Sequence, residues 1–110
     1  MVRLYEKPIS VNEAWKGRRY KTDIYKHFEM KLLFLLPKLE LPEPPFEVHY
    51  KFGFSNERAD VDNPVKPITD ILQKKYNFDD KDIYKYVIEK EVVKKNLEFF
   101  EFNITHYEKT

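Results

Sequence analysis

The sequence predicts an α+β fold: a small mixed sheet, with elements in the order strand, helix, strand, helix, strand, strand. Three observations predict it. Phe46, Val48, Tyr50, Phe52 and Phe54 alternate without a break, the period of a strand with one apolar face. Ile24, Phe28, Leu32, Leu35 and Leu36 recur at helical spacing, and so do Val65, Ile68, Leu72 and Tyr76. Eight Tyr and nine Phe in 110 residues favour a sheet. The length fits one domain over 1–110, and 42% hydrophobic residues is enough for one modest core.

Each element has its own signal. Residues 2–8 read as a first strand ending at Pro8. The polar, basic stretch "SVNEAWKGRRYK" reads as a loop broken at Gly17. Thr22 or Asp23 caps the first helix, and Pro37 stops it. "PKLELPEPP" is a stiff extended connection to the strand over 46–54. After the loop "SNER", a second helix starts at Pro64 with Asn63 as N-cap, and Pro67 distorts its first turn. "NFDDKD" is a loop. Alternation through Tyr84, Tyr86 and Ile88, then Phe100, Phe102 and Ile104, marks strands over 83–91 and 97–107. "VKKN" between them suits a hairpin connection. The two helices are expected to cover one face of the sheet.

Composition removes several classes of function. With no cysteine there is neither a disulfide nor a thiolate zinc site, which fits a reducing, cytoplasmic setting. The start "MVRLYEKPIS" has no apolar run, so no signal peptide is expected. The longest apolar run, Leu32–Leu36, is far short of the ~20 residues of a membrane span. Net charge is +1 but unevenly spread. Residues 1–38 hold nine Lys or Arg against four Asp or Glu, whereas 39–82 hold six against ten. That is the distribution of a polyanion grip beside a cation site, or of an ordinary mixed surface.

The stretch "ADVDNPVKPITDIL" sets Asp60 and Asp62 on either side of Val61, just before a helix, with Lys66 in its first turn. If the stretch is extended, both carboxylates project to one side. Asp79 and Asp80 return about one helix later. Three carboxylates gathered there would make a hard-oxygen site for Mg²⁺, with Mn²⁺ as the alternative. Lys66 and the helix N-terminus would then offset charge on a phosphate. The plainer reading is a capped helix start, a solvated turn, and surface pairs Asp62–Lys66 and Lys66–Asp70. "KGRRYK" offers Arg18, Arg19 and Lys21 as phosphate clamps, or is a solvated basic loop. His27, His49 and His106 lie on separate elements and read as surface or sheet-face residues.

Taken together, "DVDNPVKPITDIL", "YNFDDKDI" and "VIEKE" resemble the RusA family of Holliday junction resolvases. The family pattern falls on Asp60, Asp62, Asn63, Lys66, Asp70, Leu72, Asp79, Asp80 and Lys90. "KPISVNEAW" and "GRRYKT" are similar to its early segments. The resemblance implies a RusA-like, dimeric fold and a Mg²⁺-dependent endonuclease that resolves four-way DNA junctions by paired nicks. It implies metal ligands at Asp60, Asp62 and Asp80, with Asp79 in place of Asp80 if the loop shifts by one. Lys66 would be the catalytic lysine, with Asn63 and Asp70 supporting. Arg18, Arg19, Lys21, Arg58 and Lys90 would grip DNA. No membrane and no organic cofactor is implied. Two other readings stand beside it: a junction-binding protein without catalysis, and a Mg²⁺-dependent nuclease of flaps or other branched nucleic acid.

Overall fold

A computed structural model describes residues 1–16 and 20–109. Its elements are β1 (Val2–Leu4), α1 (Val11–Ala14), β2 (Trp15–Lys16), β3 (Tyr20–Lys21), α2 (Asp23–Leu35), β4 (Phe46–Phe54), α3 (Val65–Tyr76), β5 (Ile83–Val92) and β6 (Phe99–His106). Four strands form one mixed sheet in the order β1-β6-β4-β5, and β2 and β3 pair antiparallel in a separate two-stranded sheet. β5 runs parallel to β4, with α3 as the crossover between them. β6 runs antiparallel to both β4 and β1. The class is α+β, as the residue pattern predicts.

β4 spans the predicted residues, and its alternation has the predicted meaning. Phe46, Val48, Tyr50, Phe52 and Phe54 are buried beneath the helices, while Glu47, His49 and Lys51 are half-exposed on the other face. Tyr50 reaches into the helical layer, where its hydroxyl meets Thr69 Oγ1 at 2.7 Å. Burial pushes the ionisation of that hydroxyl well above its ordinary range. Gly53 is needed for a different reason. The ring of Phe99, buried on the neighbouring strand, fills the space that a Cβ at position 53 would take. Arg3 closes over that ring, 4.0 Å from its centre, and forms an ion pair with Glu101 at 2.8 Å.

Several expectations are corrected. β1 ends at Leu4 rather than Pro8, because the chain turns inward and buries Pro8 and Ile9. The stretch read as a loop holds α1 and the antiparallel pair β2–β3. Ser10 and Glu13 close a capping box around α1, so four residues suffice for a turn of helix. α2 starts at the cap expected, Thr22, and ends just before Leu36 and Pro37. Its inward stripe is Tyr25, Phe28, Leu32 and Leu36; Ile24 and Leu35 are exposed. Tyr25 goes inside because its hydroxyl has a partner there, donating to the Pro67 carbonyl at 3.0 Å. The last two strands are not a hairpin. β4 lies between them, and the connection rounds its end, where the Val93 amide donates to the Phe54 carbonyl at 2.7 Å.

Candidate active site

The residues between β4 and α3 form successive turns rather than an extended stretch. The Asn63 amide donates to the Asp60 carbonyl at 3.3 Å, and the Val65 amide to the Asp62 carbonyl at 3.1 Å. The premise of strand-like alternation at Asp60 and Asp62 is therefore replaced by turn geometry. Both carboxylates are exposed. Pro64, not Asn63, occupies the N-cap position of α3, and no side chain caps the helix. Asn63 instead acts through its backbone, its carbonyl accepting from the Val11 amide at 3.0 Å. That bond ties the acidic turn to α1.

A second tie comes from the sheet. Lys90 sits on β5 opposite Phe52, on the helix-facing side. Its ammonium donates to the carbonyls of Glu57 and Ala59, the latter at 2.7 Å. A cation expected to grip DNA is thus turned inward, holding the backbone just before Asp60. Charge-assisted bonds of this kind are stronger than neutral ones. They place a positive charge beneath a turn whose surface is acidic.

Lys66 lies in the first turn of α3 and is exposed. It pairs with Asp70 at 3.5 Å. Asp70 also accepts from the Gln73 amide at 3.3 Å, and the Gln73 carbonyl oxygen accepts from the Asp80 amide at 2.8 Å. One flank of α3 thus reads Lys66, Asp70, Gln73, Asp80. From Lys66 to Gln73 this is about 10 Å along the helix axis. Asp80 starts a short 3-10 turn, Asp80–Asp82, capped by Asp79, whose carboxylate accepts from the Lys81 amide at 3.0 Å. The turn leads into β5 where Ile83 pairs with Phe46, at the end of the sheet away from Asp60 and Asp62. The three expected carboxylates therefore do not converge within one chain. Among the described residues, no three Asp, Glu or His side chains form a group able to hold a metal ion.

A pocket of about 170 Å³ opens beside Asp60 and is lined also by Lys7, Ser10, Asn56, Asn63 and Glu98. Neither Lys7 nor Glu98 carries a site signal in the sequence, although Lys7 opens the segment "KPISVNEAW". The Glu98 carboxyl stays below its usual range, chiefly because Ser55 donates to it at 2.7 Å. Of the expected DNA contacts, Arg58 is exposed on the loop before Asp60. Lys21 is engaged by Glu29 at 3.0 Å, and Lys74 meets the same carboxylate at 3.0 Å. Arg18 and Arg19 lie outside the described residues.

A scan against protein-family models found no match to this chain, and a search of curated proteins found none. No helix among the described residues is long and apolar enough to cross a membrane.

Proposed function

We propose that this chain is a divalent-metal-dependent endonuclease that resolves four-way DNA junctions as a homodimer, in the manner of the RusA family it resembles. The observation that carries the reading is the turn bearing Asp60 and Asp62, fixed by Lys90 from the sheet and by α1 from the side, with Lys66 on the next helical turn. The donor set suits Mg²⁺, which takes one or two carboxylates and fills its remaining positions with water and substrate oxygens. When bound, such an ion activates a water and polarises the phosphodiester. Asp60 and Asp62 hold it. Lys66 offsets charge on the phosphate, and its ammonium pairs with Asp70 one turn further along α3 at 3.5 Å. Arg58 contributes a phosphate contact.

Asp80 cannot join this pair from within its own chain as the fold stands. Asp60 and Asp62 follow the carboxyl end of β4, whereas Asp80 precedes the start of the parallel β5. In this reading the third carboxylate comes from the second subunit. Two-fold symmetry then yields two equal centres for two symmetric cuts.

The test is to incubate the protein with labelled four-way junction, linear duplex and flap DNA, with and without Mg²⁺. Paired nicks confined to the junction and dependent on Mg²⁺ are expected. Binding without cutting would favour the non-catalytic reading, and cuts on flaps alone the other nuclease reading.

A further inference from the structure

The sheet ends on two unequal edges. β1 offers three residues and β5 ten. Long unpaired strands invite pairing with another chain, and proteins usually blunt them with charged side chains, proline, a bulge or brevity. β5, "IYKYVIEKEV", has neither proline nor glycine; its register with β4 shifts once, at Tyr84, and its charges are of both signs, so from Lys85 onward it is a regular edge whose charges can be matched by a partner. Tyr84, Tyr86 and Val92 are exposed along it.

We propose that the free edge of β5 pairs antiparallel with β5 of a second copy, with Val87 on the two-fold axis. This names the surface for the dimer in the preceding reading. It is measured as assembly, so its failure and a failure of nuclease activity are separate results. Charge complementarity favours this pairing. On the face away from the helices β5 carries Lys85, Val87, Glu89 and Glu91, opposite Glu47, His49, Lys51 and Gly53 of β4. An axis at Val87 sets Lys85 against Glu89 of the other copy, twice, with the two valines between them. On the helical face the same axis sets Tyr86 against Ile88. Opposite charges directly across a strand pair stabilise it, and like charges oppose it.

Other registers match less well. An axis at Glu89 or at Lys85 puts like charges face to face. An axis at Tyr86 leaves Val87 opposite Lys85. An axis at Ile88 allows Lys85 to meet Glu91 but forces Val87 against Glu89; the intrachain pairs Lys85–Glu47 and Lys51–Glu91, both at 3.8 Å, do not distinguish the registers. A pairing half a step off, Val87 against Ile88, brings Lys85 onto Lys90.

The absence of native cysteine makes the test direct. Directly opposite residues in antiparallel strands lie about 4.5–5.5 Å apart at Cα, within reach of a disulfide. Under mild oxidation Val87→Cys should become a covalent dimer, and Ile88→Cys should not. By sedimentation, Lys85→Glu and Glu89→Lys should each weaken dimerisation about tenfold, and the double reversal should restore it to within about threefold. Circular dichroism checks that each variant is folded. A folded Val87→Cys that stays monomeric, preferential cross-linking of Ile88→Cys, or a double reversal no better than the singles would overturn the proposal.

Discussion

The two acidic turns, at Asp60–Asn63 and at Asp79–Asp82, use the same residue type and are held in different ways. The first is anchored from two directions by distant elements: Lys90 of β5 binds the carbonyl preceding Asp60, and the Val11 amide binds Asn63. The second caps itself, with Asp79 accepting from Lys81 and the Asp82 amide donating back to the Asp79 carbonyl at 3.0 Å. Its outside support is Gln73. Repelling carboxylates are costly to fix in place, so a turn that fixes them with long-range bonds is the better candidate for chemistry. A turn closed by local bonds is what any exposed helix-to-strand connection requires.

The largest effect should come from neutralising the anchored turn. Asp62→Asn should lower junction cleavage by about a thousandfold or more while leaving junction binding intact, since it removes a ligand charge and no basic side chain. Undiminished cleavage would remove that turn from the chemistry. The next test joins the two turns. Asp62→Asn and Asp80→Asn should each be inactive alone, yet mixed and refolded together they should nick junctions. Only a centre built from two subunits leaves one intact copy in the heterodimer. If the mixture stays dead while heterodimers form, the two turns act within one chain or not together.

Lys90→Met should cost about tenfold in cleavage and about 1–3 kcal/mol in stability, through two carbonyls left without a donor. Gln73→Ala, the matching change at the locally held turn, should cost less than about 1 kcal/mol in denaturant unfolding. Equal losses would erase the distinction between the turns. The smallest effect concerns α3 itself, which carries a turn at each end and is clasped to α2 by Glu29. Burial pushes the Glu29 carboxyl up, but its bonds to Lys21 and Lys74 outweigh this and leave it below its usual range. A depressed carboxylate adds stability that is present above the unfolded value, near 4.5, and lost as pH falls through the folded one. Glu29→Gln should therefore flatten the acid side of the stability–pH curve and leave its shape near neutrality unchanged.

Much of this fold was legible in the residues because its signals are local. Five alternating apolar residues place β4, Thr22 caps α2 where a threonine should, and Pro37 closes it. The acidic turn was legible too, since Asp, Asn and Pro crowd before a helix. What was missed depends on partners far along the chain. The Ser-x-x-Glu signature at Ser10–Glu13 was present, yet a helix of four residues has no periodicity to announce it. The choice of Tyr25 over Ile24 for the core rests on a carbonyl at Pro67. The insertion of β4 between β5 and β6 is a matter of sheet order, on which alternation is silent. The same blindness covers the gathering of Asp60, Asp62 and Asp80. Spacing places each beside a helix end, but α3 and β5 set them at opposite ends of the sheet.

The ring of Phe99 standing over Gly53 has an evolutionary consequence. Neither position can drift by itself: any side chain at 53 must displace the ring, and any smaller residue at 99 opens a hollow under Arg3. Descendants of this chain should keep both or exchange both. A relative with alanine at the first position should carry a slimmer residue at the second, so covariation between them would mark shared ancestry in this sheet.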